Sequence, residues 1–218
     1  MSESDFVKEE LCMKLPDIRD VMLEYKGMLL LYRSALKQMS TKLEILGDEY
    51  QFSHGYNPIK QIKSRIKTEE SIIRKLQRKR KDITVDNINL YIEDIAGIRI
   101  LCEFTPDVYR IVDLITSQKD VEVLKTKDYF QDPKPNGYKS YHLLVTIPVC
   151  LAERTVLTKI EIQIQTATMN FWSCLEEQAY YKYNGQVPEY IHKDLRECSK
   201  MISYLDSKLF QIKEEVKK

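Results

Sequence analysis

The stretch Lys159-Ile160-Glu161-Ile162-Gln163-Ile164-Gln165 places isoleucine at every second position between polar residues. An extended chain turns successive side chains to opposite faces, so this period of two dictates a strand with one apolar and one polar face. Ile160, Ile162 and Ile164 enter a core, and Lys159, Glu161, Gln163 and Gln165 share the other side. The chain must therefore build a sheet. Its polar face either meets solvent, as antiparallel sheets often do on one side, or holds a ligand.

A second period-two segment carries charge. Ile62, Ser64 and Ile66 alternate with Lys63, Arg65 and Lys67, which predicts a strand with three cations on one face. Thr68 then reads as a helix N-cap, with Glu69 and Glu70 in the first turn and the helix running to about Lys81. Ser71, Lys75 and Arg78 follow at i, i+4 and i+7 and share one face of it. Residues 59–81 hold ten Lys or Arg against two Asp or Glu, a local charge of +8 that leaves −7 for the rest of a chain whose total is +1. The near-neutral total is thus a cancellation, and the +8 segment points to an anion site.

The other elements follow from the same patterns. Apolar residues at Val21, Tyr25, Met28, Leu29, Tyr32, Leu36, Met39, Leu43 and Leu46 predict one long amphipathic helix from Asp17 to about Tyr50, ending near Gly47. A short helix at about Asp86 to Glu93 leads to a strand at Ile98–Phe104, a helix from Asp107 to about Gln118 and a strand at Val121–Thr126. A loop from Lys127 to Gly137 precedes strands at about Ser140–Val149 and Thr155–Thr166, then helices at Ala167–Tyr183 and from Glu189 onward. The expected class is α+β: a mixed five-stranded sheet with helices against it, bracketed by two terminal helices.

Composition narrows the chemistry. The glycines stand at 27, 47, 55, 97, 137 and 185, which excludes both G-x-x-x-x-G-K-[ST] and G-x-G-x-x-G. Phosphates, if bound, must be held by side chains and metal. Five widely spaced cysteines (12, 102, 150, 174 and 198) without a C-x-x-C pair fit reduced thiols rather than disulfides or zinc. The acidic, polar start MSESDFVKEE and the lack of a long apolar run predict a cytoplasmic protein with no membrane span.

Three groups of residues can carry chemistry. Asp94 opens Asp94-Ile95-Ala96-Gly97-Ile98-Arg99 just before a strand, and Glu161 lies on a polar strand face. Two carboxylates beside a cationic strand suit a Mg²⁺-nucleotide site, because Mg²⁺ takes oxygen ligands and neutralises phosphate. The loop Lys134-Pro135-Asn136-Gly137-Tyr138-Lys139-Ser140-Tyr141-His142 joins turn residues to an aromatic ring on which a nucleobase can stack. It also reads as an ordinary hairpin turn.

The stretches S-R-I-K-T-E-E-S-I-I-R-K-L-Q-R-K (64–79), D-I-A-G-I-R-I (94–100), K-D-Y-F-Q-D-P-K-P-N-G-Y-K-S-Y-H (127–142), E-I-Q-I-Q-T-A-T-M-N-F-W (161–172) and Y-K-Y (181–183) resemble the RelA/SpoT-type alarmone synthetase domain, specifically small alarmone synthetases of the RelQ kind. The resemblance implies a nucleotidyltransferase-like sheet and Mg²⁺-dependent transfer of the β,γ-pyrophosphate of ATP to the 3′-hydroxyl of GDP or GTP. It implies that Arg65 and Arg99 sandwich adenine and that Lys67, Ser71, Lys75 and Arg78 hold the ATP phosphates. Asp94 would ligand Mg²⁺, and Glu161 would share the metal or act as base. Tyr138 would stack on guanine, with Lys127, Lys134, Asn136 and His142 around the acceptor nucleotide. It further implies a helical segment at 1–53, a catalytic domain at 54–185 and a C-terminal helix at 186–218 that, with the apolar stripes of both terminal helices, serves a homotetramer. Gln165, Glu177 and Lys125 depart from the family pattern of Arg, His and Arg, which predicts an altered preference among GTP, GDP and GMP. Two alternatives stay open: a module that binds single-stranded RNA, and a toxin-like pyrophosphokinase acting on adenosine nucleotides or tRNA.

Overall fold

The structure, a computed structural model, describes residues 18–216. The expected helix start at Asp17, the side chain of Val21, and Cys12 lie outside the residues and side chains described. In chain order the elements are α1 (Ile18–His54), β1 (Gln61–Ile66), α2 (Glu69–Arg78), α3 (Val85–Tyr91), β2 (Ala96–Cys102), α4 (Thr105–Thr116), β3 (Glu122–Asp128), β4 (Tyr141–Cys150), β5 (Thr155–Thr166), α5 (Ala167–Lys182) and α6 (Glu189–Val216). The sheet runs β1-β2-β5-β4-β3, with β2 and β5 parallel and the other pairs antiparallel. This is the mixed five-stranded α+β sheet that the periodicities predict.

One face of the sheet is apolar on every inner strand. Ile98 and Ile100 of β2, Leu143, Val145 and Ile147 of β4, and Ile160, Ile162 and Ile164 of β5 are buried together. Against them lie Met28, Tyr32, Ala35, Leu36, Met39 and Leu43 of α1 and Val108, Ile111, Val112 and Ile115 of α4. The 3- and 4-residue spacing on α1 is a single helical stripe, which is why a 37-residue helix can lie across four strands with one side dry. Strands β1 and β3 close the edges. Most of their side chains are exposed, and their lysines discourage edge pairing.

Several local expectations are corrected. Helix α1 continues through Gly47 to His54, and Gly47 serves a close contact instead of a stop: a Cβ there would stand 2.8 Å from the Asn57 amide. The helix ends instead at Gly55, whose φ of +78° is readily adopted by glycine and whose amide donates to the Gln51 carbonyl. The polar face of β5 also stops short. Gln165 is fully buried, since α5 begins at the next turn and covers it, and its Nε2 donates to Ser173 Oγ. Its Oε1 has no hydrogen-bond partner among the described residues.

Helix α2 is set as its sequence demands. Thr68 Oγ1 accepts from the Ser71 amide, Glu69 and Glu70 occupy the first turn, and Ile72 and Leu76 face the core. It ends at Arg78 rather than Lys81, because Arg80 adopts a positive φ. Among the described residues, no helix is long and apolar enough to cross a membrane.

Leu43 on the buried stripe of α1 is fully enclosed, whereas its neighbour Ile45 is exposed. Leu43→Ala is expected to cost about 2–5 kcal/mol of unfolding free energy. Ile45→Ala should change it by less than about 0.5 kcal/mol, a contrast measurable from urea midpoints.

Candidate active site

Strand register turns the polar face into rows of side chains. From β1 to β3 one row is Lys63, Arg99, Gln163, His142 and Lys127, and the next is Arg65, Gly97, Glu161, Leu144 and Lys125. With strands about 4.8 Å apart, each row spans roughly 19 Å. Cations therefore stand at both edges, and Glu161 stands in the central strand between them. Gly97 contributes no side chain, which leaves space between Arg65 and Glu161. That space is part of a cleft of about 310 Å³ lined by Lys63, Arg65, Arg99, Glu161, Gln163 and Glu177, among others.

At one end of this face lies Asp94, in the link between α3 and β2. Lys67 stands one residue past the end of β1 rather than within it, held by a hydrogen bond from its amide to the Ile95 carbonyl. Its Nζ reaches Asp94 Oδ2 at 2.7 Å, and Lys75 Nζ of α2 reaches Oδ1 at 2.8 Å. The Asp94 side chain is only 15% exposed. Burial pushes its pKa upward, but the hydrogen bonds and charges of the two lysines outweigh this and hold the carboxyl below its usual range. The triplet carries a net positive charge, suited to a polyphosphate that draws the lysines away from the carboxylate.

Glu161 is held by two neighbours on the same face. Gln163 Nε2 donates to its Oε2 at 3.0 Å, and His142 Nδ1 lies 3.6 Å from its Oε1. Burial raises its pKa and so does the charge of Asp94, yet His142 and Gln163 prevail and the carboxyl lies below its normal value. Arg99 links the parts, donating to Gln163 Oε1 at 3.5 Å and to Asn170 Oδ1 at 3.4 Å.

The far end is aromatic. The Tyr138 hydroxyl lies 3.0 Å from His142 Nε2. The two atoms share one hydrogen bond, whose direction follows the His142 tautomer. Burial pushes the Tyr138 phenol up to about 12, so its proton stays on. Lys134 Nζ lies 4.6 Å from the centre of the Tyr138 ring and 5.0 Å from that of Tyr129.

Most of the expected site residues thus come together: Arg65, Lys67, Lys75, Asp94 and Arg99 at one end, Glu161 and His142 in the middle, and Lys127, Lys134 and Tyr138 at the other. Ser71 lies one turn before Lys75 on α2, and its Oγ accepts from Thr68 Oγ1. Arg78 is exposed in the last turn of the same face. Asn136 donates to Glu176 Oε1 at 3.2 Å and accepts from the Tyr138 amide, so it shapes the loop. Gln165 contacts Ser173 instead of the open face. Glu177 lines the cleft beside Arg65 and Arg99, and Lys125 lies 3.9 Å from Glu93.

Sequence reasoning did not assign Gln163, Asn170, Tyr129 or Glu176 to the site, and it read Lys63 only as one cation of the β1 face. Gln163 and Lys63 were accessible to it, being on the same strand faces as Glu161 and Arg65. Asn170, Tyr129 and Glu176 are joined to the site only by tertiary packing.

Cations at both edges of the sheet, a central carboxylate and no glycine-rich loop fit a nucleotide phosphoryl-transfer domain. Residues 64–186 match the family model described as the region found in RelA / SpoT proteins. The chain belongs to this family. It is 45% identical to the GTP pyrophosphokinase YwaC of Bacillus subtilis over 202 residues, 93% of this chain and 96% of that one. Its fold matches the crystal structure of small alarmone synthetase 2 from Bacillus subtilis with a TM-score of 0.80 at 43% identity, covering 88% of this chain and 98% of that one. Small alarmone synthetase 1 from the same organism, bound to its product pppGpp, matches with a TM-score of 0.80 at 34% identity, covering 89% and 98%. The same protein bound to AMPCPP matches at 0.75 and 32%, covering 88% and 97%.

The Asp94 triplet predicts a measurable titration. A depressed carboxyl contributes stability that is present above its unfolded pKa and lost as pH falls through the folded one. In the ligand-free protein, carbon NMR of Asp94 should give a midpoint below 3.8. Lys67→Met with Lys75→Met should move it above that value, since burial then acts alone.

Proposed function

We propose that this chain is a GTP/GDP pyrophosphokinase, transferring the β,γ-pyrophosphate of ATP to the 3′-hydroxyl of GDP or GTP and releasing AMP and (p)ppGpp. The observation that carries this reading is the pair of cationic flanks on either side of Glu161. A donor and an acceptor nucleotide, both anionic, can lie side by side over one sheet with their reacting groups meeting at the central strand. The ligand-bound relatives support both halves, one with an AMPCPP and one with pppGpp.

On the donor side, Arg65 and Arg99 hold adenine in the cleft, while Lys67, Lys75, Ser71 and Arg78 take the phosphates. When the phosphates arrive, Lys67 and Lys75 exchange Asp94 for phosphate oxygens and free its carboxylate. On the acceptor side, Tyr138 stacks on guanine, and Lys127, Lys134, Asn136 and His142 surround the nucleotide. The acceptor 3′-oxygen bonds to the β-phosphorus as the bond from that phosphorus to the α,β-bridging oxygen breaks, and AMP leaves. Glu161, kept ionised by His142 and Gln163, accepts the hydroxyl proton. Positioning and charge neutralisation supply most of the rate in such a transfer.

The residues also fit Mg²⁺. Asp94 and Glu161 are hard oxygen donors close enough for the charge of one to raise the pKa of the other. Among the described residues, no cluster of three metal-binding side chains exists. Mg²⁺ characteristically uses one or two carboxylates and completes its shell with substrate phosphates and water. When bound there it would neutralise phosphate charge.

We also infer a cytoplasmic homotetramer. Exposed apolar side chains on α1 (Met22, Leu23 and Leu30) and α6 (Met201, Tyr204, Leu205, Leu209 and Ile212) support self-association. Sedimentation velocity should give four chains, and a monomer at all concentrations would refute it.

With ATP, Mg²⁺ and GDP or GTP, the protein should yield equal amounts of AMP and a guanosine 3′-diphosphate product. Glu161→Gln should slow this by roughly 10²- to 10⁴-fold, and chelation of the metal should abolish it. An RNA-binding module would give no AMP, and a toxin-like enzyme would give product only with adenosine nucleotides or tRNA as acceptor.

A further inference from the structure

The loop that carries Tyr138 is a closed turn. The Gly137 amide donates to the Lys134 carbonyl at 2.8 Å, the Lys134 amide to the Tyr138 carbonyl at 3.2 Å, and the Tyr138 amide to Asn136 Oδ1 at 3.1 Å. The carbonyl of Gly137 is satisfied from outside, by the hydroxyl of Ser199 on α6. Ser199 is 2% exposed, more than sixty positions away in sequence. Gly137 itself has a φ of +94°, and a Cβ placed there would stand 2.9 Å from Ser199 Cβ and 3.4 Å from Arg196 Cα. The loop backbone therefore rests directly on the helix backbone.

The same stretch of α6 supports the Tyr138 ring. Leu195 is buried with Met169 and Trp172 of α5, and Tyr138, Ile191 and Ile202 pack on this small core. Trp172 Nε1 donates to the Leu195 carbonyl at 2.8 Å, which locks α6 to α5. Farther along, Asp206 accepts from Thr168 Oγ1 at 2.8 Å, and Lys213 pairs with Glu103 while lying over the Phe104 ring. Helix α6 is thus anchored at three levels, which makes it a rigid reference for the loop.

We propose that Ser199 is a positioning residue for the acceptor nucleotide, holding the 134–138 turn through the Gly137 carbonyl so that Tyr138 presents its ring at a set height above the sheet. This rests on the reading of Tyr138 as the platform for the acceptor base. Ser199 touches neither nucleotide. It acts because a short turn pinned at its glycine cannot rock about its two ends. Loss of the hydroxyl leaves a carbonyl without its partner in a closely packed contact, and the turn shifts to regain a hydrogen bond.

The test is steady-state kinetics of AMP formation by the full chain. Ser199→Ala should raise the acceptor KM by roughly 5- to 30-fold, leave the ATP KM unchanged, and keep the thermal midpoint within a few degrees. Ser199→Cys, close in size and with a weaker donor, should raise the acceptor KM by less than Ser199→Ala does. A merely structural serine would move both KM values together or neither, and either result in a folded Ser199→Ala protein overturns the proposal. If Ser199→Ala does not fold, Ser199→Cys, a size-matched side chain with a weaker donor, must raise the acceptor KM alone, or the proposal falls. Tyr138→Ala separates the two levels. An unchanged acceptor KM in that variant removes the platform reading itself, whereas a raised KM there with a normal one in Ser199→Ala removes only the role of Ser199.

Discussion

The parallel pairing of β2 with β5 is the constraint on which the rest of this molecule depends. It sets Gly97 beside Glu161 and Arg99 beside Gln163, and β5, the strand with the most isoleucines, stands at the middle of the sheet. Parallel strands need a long crossover, and the chain uses it to add α4, β3 and β4 before β5 returns to the centre. Strand β4 then pairs with the other side of β5 and brings His142 opposite Gln163. A slip of one residue in the β2–β5 register would turn Glu161 into the core and Ile160 or Ile162 onto the polar face. The hydrophobic burial that stabilises the sheet is therefore also what aims the carboxylate.

The charges on the polar face are arranged to be satisfied before any ligand arrives. Asp94 has two lysines, Glu161 has a glutamine and a histidine, and the Tyr138 ring has Lys134 over its face. Each pairing lowers the cost of keeping a polar group half-buried. In the proposed reaction the Asp94 pairings are ones that an anionic nucleotide would take over, since a lysine can exchange a carboxylate for phosphate oxygens. A glycine-rich loop would bind phosphate through fixed backbone amides. Here the candidate binding groups are side chains, set on the strands below and flanked by α5 and α6.

Much of this was legible in the sequence, since the elements rest on local rules. Strand β5 has the bounds its alternation predicts, and Thr68 caps α2 as its position demands. The errors have a common source. Gly47 was read as a helix end, but the residue is small because Asn57 lies against it. Gln165 was read as part of an open polar face, but α5 covers it. In both cases a segment distant in the chain or on the next element decided the environment. Gln163 is different, because its place two residues after Glu161 on the same face was visible in the alternation.

The sequence alone determined the periodicities: which residues would enter a core, which strand face would be cationic, and that phosphate must be gripped without a glycine-rich loop. These depend on spacing and residue type, which the chain carries wherever it folds. The tertiary structure decided the distances between residues far apart in the chain. Asp94 meets Lys67 and Lys75, His142 bridges Tyr138 and Glu161, and Ser199 reaches Gly137, because strand order and helix packing bring those segments together. No local pattern encodes such contacts, since their energies arise only once the shared core has drawn its elements into register.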